Sequence, residues 1–162
     1  MVEQNISLGY HHLLVSAALR KTVGSQNAVC YKPDMNQLLE TDLYGPIKAL
    51  FEAKGFEVKA EIGASDVVAI RSGEDPVIIE LKLGFSLTLL HQAVARQSIT
   101  ERVYVAVPKW KGKAGWSAFK RNTGLCRRLG VGVIAVDIAS GAADIRCDPA
   151  PYAPRKSKSK KV

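Results

Sequence analysis

Apolar and polar positions follow two rhythms along the chain, and each change of rhythm marks an element. Leu43, Ile47, Leu50 and Phe51 recur at helical spacing. Thr41-Asp42 offers a cap residue and an acid for the first turn, and Gly55 stops the helix. Pro46 requires a start nearer Tyr44 or a bend. Residues 56–62 then alternate, which puts Phe56, Val58, Ala60 and Ile62 on one face of a half-buried strand. Residues 66–70 form a second strand and 77 to about 83 a third, joined by the turn Ser72-Gly73-Glu74-Asp75. Strands so closely spaced predict an antiparallel meander. Ser86 caps a helix running to about Ser98, with Leu87, Leu90 and Val94 as its apolar stripe. Thr88, Gln92 and Arg96 share another of its faces. Residues 102–107 and 131–136 are nearly continuous in apolar side chains, as strands covered on both sides are. Between them, 108–115 reads as a basic loop and 116–129 as a helix ended by Gly130. Residues 144–147 fit an edge strand. The order helix, three strands, helix, strand, helix, strand describes an α/β sandwich: a mixed central sheet flanked by helices.

Residues 1–34 lack any sustained period, and organised patterning begins near Met35. This predicts a loosely attached extension over 1–34, or a natural start at Met35. The domain then occupies 35–148, and 149–162 form a tail in which Pro149, Pro151 and Pro154 lead into a basic run. A composition 47% hydrophobic and 23% charged is that of a folded domain rather than a disordered chain. The net charge of +8 points to a polyanionic partner, but Arg155, Lys156, Lys158, Lys160 and Lys161 carry much of it, so the body is only mildly basic. Cys30, Cys126 and Cys147 are odd in number and show no CxxC spacing. They argue for a reducing compartment and against a disulfide framework or zinc ribbon, with Cys126 as a small buried hydrophobe. No apolar run approaches the roughly 18 residues of a membrane span. The short apolar stretch 13–19 follows Glu3 and no Lys or Arg, unlike a secretory signal. The expectation is a cytoplasmic protein with no membrane association.

Chemistry concentrates on two adjoining strands. Asp66 opens one, and Glu80-Leu81-Lys82 closes the other. Glu80 and Lys82 share a strand face, with Leu81 on the other. Two carboxylates and the carbonyl of Leu81 suit a hard divalent ion such as Mg²⁺, or Mn²⁺, and Lys82 adds a cation beside them. The plain alternative is a solvated Glu80–Lys82 salt bridge worth under ~1 kcal/mol.

A helix with an acid near its start, a meander carrying Asp…Glu-x-Lys, then a helix and a strand resembles the PD-(D/E)XK nuclease superfamily. The motif here is Ser65-Asp66 and Glu80-Leu81-Lys82; the proline that sometimes precedes the aspartate is absent. Whole stretches are similar to a bacterial family of uncharacterised PD-(D/E)XK phosphodiesterases: Glu40-Thr41-Asp42-Leu43-Tyr44, residues 66–82 with Gly84-Phe85-Ser86, residues 103–108, and Asp148-Pro149-Ala150-Pro151-Tyr152. The similarity spans about 35–158, and family members often continue beyond the basic stretch. It implies a restriction-endonuclease-like core, Asp66 and Glu80 as metal ligands and Lys82 as the catalytic lysine. Glu40 matches the acid some members supply from the first helix. Gln92 matches the first of a polar pair on the second helix, whereas Arg96 stands where Tyr is more familiar and could contact a phosphate. Glu61 and His91 are weaker candidates, each explained as a solvated or packed side chain, and His11-His12 lies in the unmatched segment with no partner at metal-ligand spacing. Lys109-Trp110-Lys111-Gly112-Lys113 mixes cations with an aromatic, as a nucleic-acid strand would favour. The sequence reading is therefore a Mg²⁺-dependent nuclease acting on DNA, with a non-cutting nucleic-acid-binding module on the same fold as the alternative.

Overall fold

The computed structural model describes residues 38–60 and 66–153; the side chain of Asp66, and with it the proposed extension over 1–34, Cys30, His11-His12, Glu61 and the basic tail, fall outside the described residues. A 3-10 turn, Glu40–Leu43, leads into helix α1, Tyr44–Glu52. Asp42 Oδ2 accepts the Leu39 backbone N–H at 2.9 Å, fixing the chain before the helix. Pro46 is the third residue of α1, where a backbone N–H has no intrahelical acceptor, so a start at Tyr44 accommodates it. The remaining elements are strands β1, Glu57–Ala60, β2, Asp66–Ile70, and β3, Val77–Leu81; helix α2, Leu87–Arg96; β4, Val103–Pro108; α3, Gly112–Arg128; β5, Gly132–Asp137; and β6, Ala142–Cys147.

The six strands form one sheet in sequence order. β1, β2 and β3 make the expected antiparallel meander. β3, β4 and β5 are mutually parallel, linked by the α2 and α3 crossovers, and β6 returns antiparallel at the edge. Alternation along each inner strand feeds two cores. Ile79, Leu81, Tyr104, Ala106, Ile134 and Val136 meet Leu43, Ile47 and Phe51 beneath α1. Val103, Val105, Val107, Val133 and Ala135 meet Leu89 and Ala93 of α2 and Phe119 and Cys126 of α3. Each large side chain so buried contributes about 1.5–3 kcal/mol. The result is an α/β fold with a mixed sheet between helical layers, consistent with a restriction-endonuclease-like core.

Several local expectations shift. The buried stripe of α2 is Leu89 and Ala93, whereas Leu87 and Val94 are 68% and 43% exposed. Leucine spacing alone does not say which of two adjoining apolar sides of a helix meets a sheet. Helix α3 begins at Gly112 rather than Trp116, because Gly112 at φ 65° turns the chain while Gly115 simply continues the helix. Ala60 is exposed although it follows Phe56 in alternation, since β1 is a sheet edge. At Gly132 a Cβ would stand 2.4 Å from the Tyr104 ring, so glycine lets that ring lie flat on β5. The Tyr104 hydroxyl donates to Asp148 Oδ1 at 2.8 Å, tying the segment after β6 to the sheet. Cys126 is fully buried, as expected, and burial pushes its thiol up to about 12.

Candidate functional site

β2 runs against β3, and β4 runs with it, so the first residue of β2 and the last residues of β3 and β4 gather at one end of the sheet. In the β2–β3 register the Cα of Asp66 lies opposite that of Glu80. Glu80 falls between Ile79 and Leu81, which both enter the α1 core, so it points into the α2 layer. Its side chain is 1% exposed. Arg96, the last residue of α2, is three positions after the fully buried Ala93 and therefore reaches the same inward side. Its Nε donates to Glu80 Oε1 at 2.9 Å.

Lys82 lies one residue beyond β3, and its backbone N–H donates to the Ala106 carbonyl at 3.1 Å. That bond prolongs the ladder and holds the side chain at the strand end. Lys82 Nζ donates to Glu40 Oε2 at 2.9 Å, with both side chains about a third exposed or less. The 3-10 turn before α1 is what carries Glu40 to this point. The charges are thus paired crosswise: Glu80 with α2 and Lys82 with the α1 turn, rather than Glu80 with Lys82 along one strand. Sequence spacing gives no sign of the Arg96–Glu80 pair beyond the placement of Arg96 one turn after Gln92.

Gln92 is on α2 and exposed, as is His91. Leu81 closes β3, opposite Ala106. Lys109 follows β4 at the same sheet end as Lys82 and pairs with Asp137 at 3.4 Å. Lys111 is exposed, and Lys113 is exposed in the first turn of α3 rather than in a loop. Surface hollows also lie away from this strand end. One of about 490 Å³, lined by Gln97, Arg102, Arg128, Pro149 and Tyr152 among others, sits toward the opposite end of β4 and β5.

Among the described residues no three His, Cys, Asp or Glu side chains form a metal-holding group. The described donors are the carboxylates of Glu80 and Glu40, and the Asp66 backbone stands opposite Glu80. In kind these fit a hard divalent cation, which takes oxygen ligands. A carboxylate 1% exposed also demands a cation nearby, and Arg96 meets that demand here. The arrangement sets a buried acid, a second acid and two cations at one strand end, with Lys82 exposed enough to meet a solute.

No protein-family model matches the chain, and no curated protein matches it. Among solved structures, it is similar to an XisH family protein from Nostoc punctiforme PCC 73102, at 15% identity and a TM-score of 0.41, over 68% of this chain and 98% of that one. It is similar also to an fdxN element excision controlling factor protein from Anabaena variabilis, at 14% identity and a TM-score of 0.41, over 68% of this chain and 99% of that one. No helix among the described residues is long and apolar enough to cross a membrane.

Proposed function

We propose that this chain is a Mg²⁺-dependent phosphodiesterase of the PD-(D/E)XK type that cuts DNA. The observation that carries the reading is Glu80: a carboxylate 1% exposed at a strand end, held by Arg96, two residues before a lysine clasped by Glu40. Burying a carboxylate costs several kcal/mol even after relaxation, and such groups mark sites where chemistry uses them. Residues opposite each other in an antiparallel pair bring their Cβ atoms to about 5 Å, so Asp66 is proposed as the second acid. Asp66, Glu80 and the Leu81 carbonyl would hold the ion. When bound, Mg²⁺ supplies a more acidic water and offsets charge on a phosphate oxygen.

The chain's own side chains do the rest. Lys82 orients the attacking water and donates to the phosphate oxygens as their charge grows. Glu40 accepts from the Lys82 ammonium and fixes its direction, so less ordering remains when substrate arrives. Arg96 fixes the carboxylate of Glu80. Gln92, exposed on α2 one turn earlier, would contact the substrate backbone. Incubation with plasmid and single-stranded DNA in Mg²⁺ or Mn²⁺ tests the assignment. Cleavage should vanish in Asp66→Ala and in Lys82→Ala; cleavage that survives both changes overturns it.

A further inference from the structure

The chain has no Asp or Glu between Glu101 and Asp137. That interval contains all of α3, and its cations are ordered. Lys113, Lys120 and Arg127 are spaced seven residues apart, so successive ones fall only about 20° off a straight line along the helix. At 1.5 Å per residue the line is roughly 21 Å long. It lies on the side of α3 facing the edge strand β6. Lys120 Nζ is 5.4 Å from the centre of the Trp116 ring, and Arg127 stands beside Cys147 of β6. From β6 itself, the Arg146 guanidinium lies 5.2 Å over Trp110 and 5.9 Å over Trp116. The two indoles are 4.5 Å apart, half-buried, and packed on Phe119. An aromatic floor therefore lies between a line of cations on a helix and a cation on the sheet edge. Acids also stand nearby: Asp144 on β6, Asp148 beside Cys147, and Asp137, which is paired with Lys109.

We infer that the strip between α3 and β6 binds a single strand of nucleic acid, with phosphates along Lys113, Lys120 and Arg127 and bases against Trp110 and Trp116. Cations alone would accept any polyanion. The indole floor selects a partner with flat faces to offer, and a single strand offers them where a duplex stacks them away. Arg146 and Lys120 now lie over those rings, and both are exposed, so a base can take their place while they turn to phosphate. The strip starts at the end of β4, at the same sheet end as Lys82, and runs away from it along α3. A strand lying on it leads toward the proposed catalytic site, and in that sense the inference deepens the nuclease reading and rests on it for its purpose.

The test uses a labelled 20-mer thymidylate in EDTA, so that binding is read without cleavage. The chain's two tryptophans are both in the strip, so its intrinsic emission reports occupancy directly. Oligonucleotide should quench that emission with the same Kd as the anisotropy change, and heparin, a polyanion without bases, should quench it far less. The triple variant Lys113→Ala/Lys120→Ala/Arg127→Ala, confined to exposed side chains, should bind on the order of 100-fold more weakly at 0.1 M salt. Its log–log salt slope should fall by about 2, since each phosphate contact contributes about 0.7 on single strands. Wild-type binding that leaves tryptophan emission unmoved overturns the strip, as does a triple variant with the wild-type Kd and slope. The two readings separate cleanly. Metal-dependent cleavage with a fully competent triple variant rejects the strip alone. Quenching that the triple variant loses, without cleavage in any metal, supports the strip and rejects the nuclease.

Discussion

Arg96→Met should destabilise the fold by about 2–3 kcal/mol. Removing one partner of a buried ion pair typically costs about 3–5 kcal/mol, because a charge is left in a poor solvent. Here the carboxylate is 1% exposed but the Arg96 side chain is 35% exposed, so water screens part of the interaction and the lower figure applies. Methionine keeps much of the aliphatic length, which confines the change largely to the guanidinium. In a domain of this size the loss should lower Tm by roughly 5–10 °C. The assay is urea unfolding of wild type, Arg96→Met, Glu80→Gln and the double variant. A neutral amide at position 80 removes the buried charge, so Arg96→Met should cost at least about 1 kcal/mol less on that background. An Arg96→Met cost below about 0.5 kcal/mol, or costs that simply add, would refute the view that Arg96 answers the charge of Glu80.

Other consequences reach further from the site. Gly132→Ala should cost about 1–3 kcal/mol by urea unfolding, as a Cβ would meet the Tyr104 ring at 2.4 Å and force it off β5; wild-type stability would show that the ring moves freely. Glu40→Gln should leave oligonucleotide binding intact while slowing cleavage about 10-fold, through a less firmly directed Lys82, and an unchanged rate would remove Glu40 from the site. Burial pushes the Cys126 thiol from the ordinary 9 up to about 12, so its neutral form favours the fold. That contribution is fully present below pH 9 and is lost as pH rises toward 12, because the unfolded thiol ionises first. Cys126→Ala should flatten this part of the alkaline limb in pH-dependent unfolding, and an unchanged limb would assign it elsewhere.

Element order and type were legible because period-2 and helical spacing are local properties. β2 begins at Asp66 and ends at Ile70, where the short apolar run between two turns does, and Ser86 caps α2 with its hydroxyl accepting the Leu89 N–H at 3.1 Å. What failed were choices that need a partner surface. Leu87, Leu90 and Val94 form a credible stripe until the sheet selects Leu89 and Ala93, leaving Leu87 and Val94 exposed and only Leu90 packed against that core. Gly112 and Gly115 look alike in sequence, but only Gly112 takes a positive φ. At the site, Glu80 and Lys82 were visible as a pair along one strand, whereas their observed partners come from 16 and 42 residues away. The seven-residue step of Lys113, Lys120 and Arg127 is legible in the sequence, but it becomes a line only because 112–115 is helix rather than loop. Its relation to Arg146 depends on β6 lying next to β5, which no local pattern encodes.

The central claim is that Glu80 and Lys82 form a metal-dependent phosphodiester-cleaving site. Its most direct test is the single-turnover rate of DNA cleavage against Mg²⁺ concentration, for wild type and Lys82→Ala, with equal DNA binding confirmed in EDTA. The account predicts a wild-type rate that rises and saturates with Mg²⁺, and a variant slower by about 100-fold or more at every concentration, the scale of losing one transition-state donor. A Lys82→Ala curve that overlays the wild type, or no cleavage by wild type at any Mg²⁺ concentration, would contradict it.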